Sequence, residues 1–184
     1  MKKNYDDRTW SFLAASPAFD GPVFEEGVIL LIEDAKDGSF GVMVNKPTGR
    51  TLGEIDARFS KFEELSKIEV FDGGPIAKDR LSIAVWTDDG TQAGEFSFGI
   101  PPEKAELRLK ETPGAKAAAF VGYSGWGRGQ LEREIQEGSW IVSPADIAML
   151  EDFESGDLWE ELVMRAEPMY GNFPPPPPVP PEVN

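Results

Sequence analysis

A chain of 184 residues with 40% apolar content suits one domain with a sizeable core, or one domain and a tail. Thirty-three acidic against eighteen basic residues leave a net charge of −15, which repels polyanions and argues against direct nucleic-acid or acidic-membrane binding. Cysteine and histidine are both absent, which excludes disulfides, thiolate nucleophiles, Cys/His zinc sites and imidazole proton transfer.

The first residues, MKKNYDDRTW, carry two lysines with no apolar stretch behind them. No apolar run approaches the roughly 20 residues that span a bilayer, so a cytoplasmic location is expected. Residues 1–9 read as a polar, frayed start. Trp10 to Ala15 is a short apolar strand, and Phe19-Asp20-Gly21-Pro22 a turn. Gly27 to Ile32 is continuously apolar and β-branched, as in a strand buried on both faces. Asp37-Gly38 signals a hairpin, with Ser39 to Val44 as the returning strand.

Asn45-Lys46-Pro47-Thr48 breaks that strand. Thr51 with Glu54 three residues later forms a capping-box pattern for a helix over Leu52 to Phe59. Ile68 to Phe71 is a strand stopped by Asp72-Gly73-Gly74-Pro75. Leu81 to Trp86 and Glu95 to Ile100 are strands joined across Asp88-Asp89-Gly90, and 103–110 is weakly helical. Further helices are predicted over 145–150 and 157–165, the second with Leu158, Leu162 and Arg165 near one stripe, widened by Trp159 and Val163.

Between them lies the most distinctive stretch, Phe120 to Pro144. An apolar run (Ala117 to Val121) enters a predicted loop with glycine at 122, 125, 127 and 129. An amphipathic helix over 130–137 follows, with Leu131 and Ile135 on its apolar face. Gly138 closes it before Trp140 to Val142. From Glu167 the composition shifts, and eight of the sixteen prolines lie between Pro168 and Pro181. The string FPPPPPVPP reads as polyproline II, so 167–184 is expected to be a stiff solvated extension outside a 10–166 domain.

Four stretches, SPAFDGPVFEEGVILLIE (16–33), GVMVNKPTG (41–49), VFDGGPI (70–76) and GYSGWGRGQLEREIQEGSW (122–140), resemble the AlgH/YqgE family of bacterial proteins. The resemblance covers about residues 10–165. It implies an α/β fold in which a small closed β-barrel with additional strands is surrounded by helices. It also implies a family whose function is not settled, with a role in transcriptional regulation attached to some members. Glu33 stands where relatives often carry histidine, and the proline tail lies outside the family pattern.

The predicted loop 122–129 could present backbone N–H groups to a small anion where the next helix begins. In that reading Gly127, Arg128, Gly129 and Gln130 hold the anion, and Asn45 or Asp72 orients it. Lys46, Gly73, Gly74 and Ser124 complete the candidate ligand site, because the turns after the two earlier strands sit where ligands bind in α/β sheets. The competing reading gives the glycines and turn residues purely local roles. Gly122-Tyr123-Ser124-Gly125 brushes against a nucleophile elbow but has no histidine base, leaving only a Ser124–Lys46 pairing formally open. Glu132 and Glu134, two apart on a helix, point away from each other and read as solvated charges rather than metal ligands. Asp34 to Asp37 and Asp88-Asp89 lack an EF-hand pattern and read as surface turns. No catalytic residue, metal or cofactor is assigned. The sequence thus supports a binding or regulatory module with a small anion or protein as partner. Its alternatives are an enzyme for a small anionic metabolite and an adaptor that uses the proline tail.

Overall fold

The computed structural model describes residues 8–19, 21–91, 94–152 and 157–170. In chain order these form β1 (Ser11–Ala15), β2 (Val28–Ala35), β3 (Gly38–Met43), β4 (Pro47–Thr51), α1 (Leu52–Ile55) and β5 (Glu69–Asp72). There follow β6 (Ile76–Thr87), β7 (Glu95–Phe98), α2 (Pro102–Glu111), β8 (Lys116–Gly127), α3 (Gln130–Gln136), β9 (Trp140–Pro144) and α4 (Leu158–Tyr170). Short 3-10 turns lie at Ala57–Phe59, Leu65–Lys67 and Ile147–Asp152.

Nine strands among the described residues join in one open sheet of order β4-β5-β8-β3-β2-β1-β9, from which β6 and β7 branch at β8. The closed barrel implied by the resemblance is therefore corrected to an open, branched sheet. The cause is the length of β8. Its first half pairs with β5 in parallel and with β6 antiparallel, while Ser124 to Gly127 pair with β3. One strand thus serves two branches, and their outer strands β4, β7 and β9 never meet.

The run read as a loop over Gly122–Gly129 is strand as far as Gly127. Glycine enrichment concealed it, because glycine is depleted in strands and marks turns. At Gly122 (φ +72°) the chain passes so close to Gly73-Gly74 that a Cβ there would lie 2.4 Å from the Gly74 carbonyl oxygen. β4 lies where the sequence predicts a break, and β6 begins five residues before the predicted Leu81. The helix after Thr51 stops at Ile55 because Asp56 is extended (φ −140°) and caps the next turn by accepting the Arg58 N–H.

Val28 to Leu31 are fully buried, since both faces of β1, β2 and β3 are covered. On one face Phe12, Ala14, Leu30 and Val42 pack with β6, β8 and the buried side of α4, namely Leu158, Leu162, Val163 and Ala166. Arg165 of the predicted stripe is exposed instead. On the other face Leu13, Ile29, Leu31 and Met43 pack with Trp126, Trp140 and, from α3, Leu131 and Ile135. A third cluster beneath α1 and α2 contains Leu52, Leu65, Val70, Ile83 and Ala105.

Glu106 of α2 organises the edge of that cluster. Its carboxylate accepts the backbone N–H groups of Glu63 (3.0 Å), Glu64 (3.1 Å) and Leu65 (2.8 Å) and pairs with Lys110 (3.0 Å). Burial opposes its charge, but the Leu65 N–H, Lys110 and the Glu64 and Glu63 N–H groups outweigh burial and hold the carboxyl below the ordinary 4.5. A depressed folded pKa stabilises above the unfolded value, and that contribution is lost as pH falls through the folded pKa. Amide protection at 63–67 should therefore weaken as pH drops below about 4.5. In the Glu106→Gln chain protection should be low already at neutral pH and respond little to acid. Hydrogen exchange compared across pH checks both outcomes.

Candidate functional site

The ten residues expected to form one ligand site fall into two places. The two turns do converge on each other: the Asp72 N–H donates to the Lys46 carbonyl (2.8 Å) and the Met43 N–H to the Gly73 carbonyl (2.9 Å). Their side chains are engaged locally. Asn45 accepts the Val28 N–H (2.8 Å) and donates to the Glu26 carbonyl (2.7 Å), while Lys46 donates to the Glu25 carbonyl (2.7 Å). Asp72 accepts the Gly74 N–H (3.2 Å) and pairs with Lys78. Ser124 is buried with its Oγ directed at the Gly73 carbonyl (3.5 Å), and Lys46 reaches Glu25 rather than Ser124.

Gly127, Arg128, Gly129 and Gln130 lie at the far end of β8. Asp72 stands opposite Val121, so seven residues at about 3.3 Å each place Arg128 roughly 20 Å farther along the strand. There the Gly127 N–H is taken by the Gln130 side chain (3.0 Å), and α3 has only seven residues. Arg128 itself is exposed and has no hydrogen bond or ion pair to another described residue. Asn45 and Asp72 therefore do not face Arg128.

What β8 does build is a groove of about 770 Å³ on the face shared with β2 and β3. Glu33 stands opposite Phe40 and Phe40 opposite Gly125; Ala35 stands opposite Gly38 and Gly38 opposite Gly127. Opposed residues share a face, so small residues hold four of these six positions. The alternate positions Asp34, Ser39, Ser124 and Trp126 turn to the buried side. One glycine of this floor, Gly127, is there for neither conformation nor close packing. Gly125 and Gly127 lack a left-handed φ. A Cβ at 127 would meet only Gln130 Oε1 at 3.9 Å, whereas one at 125 would crowd the ends of the Ile76 (3.2 Å) and Tyr123 (3.3 Å) side chains. Glycine inside a strand costs about 0.5–1 kcal/mol relative to alanine. What it supplies here is an open floor.

Aromatic rings and Arg80 form the walls. The Phe40 ring lies 6.2 Å from Phe98 and 6.2 Å from Tyr123. β6 contributes Ile76, Arg80 and Ser82. Between Ile76, opposite Tyr123, and Leu81, opposite Val121, β6 bulges, with Ala77 in the left-handed region (φ 52°). The bulge carries Lys78, Asp79 and Arg80 outward. Lys78 is paired with Asp72, whereas Arg80 has no hydrogen bond or ion pair to any described residue. Glu33 and Asp37 lie on the groove's opposite rim. The sequence signalled none of this, because the groove arises from strand register and from a bulge.

The two glutamates of α3 are not simply solvated. Glu132 pairs with Arg8 (2.9 Å), and Glu134 accepts the indole N–H groups of Trp126 and Trp140, both at 2.8 Å. Asp34, read as part of a surface turn, is buried against Arg8 and Ser39. Among the described residues no group of three or more Asp or Glu is placed to hold a metal ion, and no helix is long and apolar enough to cross a membrane.

A mixed α/β protein with an open branched sheet and a surface groove is the class that fold and site define. The AlgH-like family profile matches residues 12–171, and the chain belongs to that family. A UPF0301 protein of Pseudoalteromonas translucida is 31% identical over 161 residues, covering 83% of this chain and 87% of the relative. Another, from Streptomyces coelicolor, is 31% identical over 167 residues, covering 85% and 86%. The solution structure of the AlgH protein from Pseudomonas aeruginosa aligns with TM-score 0.62 at 26% identity over 94% of each chain. A crystal structure of protein DIP2367 from Corynebacterium diphtheriae aligns with TM-score 0.65 over 94% of this chain and 95% of that one; at 23% identity it shows the shared fold.

Proposed function

We propose that the protein is a binding or regulatory module that takes a small anion with an apolar body into the groove of β3, β6 and β8, without direct DNA contact. The observation that carries this reading is Arg80, a cation without an ion-pair partner among the described residues, beside the Phe40, Phe98 and Tyr123 rings. Ligand sites are typically concave and apolar with a few polar groups that fix orientation, and a guanidinium recognises a carboxylate with two parallel hydrogen bonds. The net charge of −15 supports the absence of DNA contact, since duplex binding draws on released counterions and needs many basic contacts.

Benzoate, a flat ring bearing one carboxylate, is the probe. Titrated into the protein, it should shift the amide signals of Gly38, Gly125 and Gly127 together. Arg80→Ala should abolish those shifts with melting nearly unchanged, because an exposed charge contributes little to stability. A generic duplex at physiological salt should shift nothing. Benzoate shifts that survive Arg80→Ala, or tight duplex binding with a steep salt dependence, would overturn the reading.

A further inference from the structure

The groove carries charge of opposite sign on its two rims. Arg80 stands on the β6 side, and Glu33 and Asp37 stand on the β2 side. All three are exposed, and none makes a hydrogen bond or ion pair to another described residue. We propose that the ligand's anionic group is one end of a small zwitterion. Its carboxylate pairs with Arg80, its flat apolar body lies among the rings, and an ammonium at its far end pairs with Glu33. This rests on the groove being an anion site, as argued above, and adds a second charge to the ligand. The predicted polyproline segment, 173–181, lies outside the described residues and takes no part in it.

Neighbouring cations behave differently from Arg80. In a chain of net charge −15 a cation has acids at hand. Lys78, two residues away on the same bulge, pairs with Asp72, and Arg8, Arg58 and Arg108 pair with acids as well. Arg80 has two acids across the groove and reaches neither. The sheet keeps them apart. β3 and β8 lie between β2 and β6, three strand spacings or roughly 14 Å from backbone to backbone. Phe40, opposite Glu33, and Tyr123, opposite Ile76, stand within that span. A molecule that crosses it meets a cation at one end and an acid at the other.

A ligand with a negative charge alone is poorly suited to such a groove. Its carboxylate is drawn to Arg80 but faces an acidic rim, on a protein whose overall field is negative. A positive group at the far end turns that opposition into attraction. Complementary charges placed this way also fix which end of the ligand goes where.

There is room for that far end. Next to the row of Glu33, Phe40 and Gly125 runs the row of Ala35, Gly38 and Gly127, which has no side chain longer than a methyl group. A Cβ at Gly127 would still have open space around it. A substituent beyond the ring therefore fits beside Glu33. Of the two acids, Glu33 is assigned the contact. Asp37 has cations on both sides, with Lys36 before it in the chain and Arg128 just beyond the Gly38–Gly127 pair. Glu33 instead lies between Ile32 and Asp34 and opposite Phe40.

Two benzoates of nearly equal size provide the test. 4-(Aminomethyl)benzoate is charged at both ends at neutral pH, whereas 4-(hydroxymethyl)benzoate carries only the carboxylate. Each is titrated into the full chain at low salt and followed by the Gly38, Gly125 and Gly127 amides. The aminomethyl compound should bind about three- to fivefold more tightly, as expected of an exposed ion pair. That advantage should fade at high salt. Glu33→Gln keeps the size of the side chain and removes its charge. It should bring the two compounds to the same affinity, with melting unchanged because Glu33 is exposed and makes no ion pair to a described residue. Arg80→Ala should abolish the binding of both. Equal affinities in the unaltered chain, or an advantage that survives Glu33→Gln, would overturn Glu33 as the second contact and leave the anion site standing. Binding that survives Arg80→Ala, or no binding of either compound, would overturn the anion site and the zwitterion together.

Discussion

Replacing Glu134 by alanine should lower stability by about 2–6 kcal/mol, the sum of two buried donors left unpaired at about 1–3 kcal/mol each. One carboxylate oxygen accepts both the Trp126 and the Trp140 indole N–H at 2.8 Å, and the other accepts from the Gln130 side chain at 2.9 Å. Trp126 is on β8 and Trp140 on β9, so Glu134 of α3 ties together elements from opposite parts of the sheet. Both tryptophans are nearly buried and meet edge to face at 5.8 Å. For a chain of this size each kcal/mol moves the melting temperature by roughly 2–4 °C, so a fall of roughly 4–24 °C is expected. Glu134→Gln should cost less, because its carbonyl oxygen can still accept from both indoles while its amide turns two donors toward Gln130. A thermal scan of the three chains checks the order. An alanine variant that melts with the parent would show that the indoles find other partners.

That carboxylate also shows where sequence reading stops. Glu134 follows Glu132 on a polar helix, and nothing in that spacing reveals which of the two meets tryptophans eight residues before and six residues after it. Continuous apolar runs were readable, because a strand buried on both faces needs apolar residues at consecutive positions. Val28 to Leu31 and Ala117 to Val121 meet that need, and both lie in the central part of the sheet. Local capping was readable at Thr51 and Glu54, where the Glu54 carboxylate accepts the Thr51 N–H at 2.7 Å. The strand through Gly122–Gly127 was hidden, because glycine's local preference is for turns while its role here is set by β3, β5 and β6 on either side. The groove was hidden for a related reason. Arg80 reaches it from a bulge, and the pairing of Phe40 with Gly125 is a matter of register between segments far apart in the chain. Asn45 and Asp72 were legible as turn residues, and their side chains do bond within and beside those turns.

Asp34→Ala is expected to destabilise the protein by about 3 kcal/mol, the lower end of what breaking a buried ion pair costs. The Asp34 side chain is fully buried on β2, and it accepts the Arg8 backbone N–H (3.0 Å), the Arg8 guanidinium (3.0 Å) and the Ser39 hydroxyl (2.5 Å). Its own N–H donates to Thr9 (3.1 Å), and Arg8 continues to Glu132 on α3 (2.9 Å). The segment just before β1, expected from sequence to fray, is thus pinned across β2 to α3. Removing the carboxylate leaves the Arg8 charge, only 19% exposed, with Glu132 as its remaining ion-pair partner among the described residues, and strands the Ser39 hydroxyl in the interior. Most of the loss should therefore come from the stranded groups rather than from the missing attraction, and this can be separated. Arg8→Ala with Asp34→Ala removes both charges, and the double variant should be less destabilised than the sum of the two single ones by about 1–2 kcal/mol, within the range measured for contacting pairs. Urea unfolding of the four chains gives the coupling directly. Strict additivity would show that Arg8 and Asp34 act independently and that the start of the chain is held by some other contact.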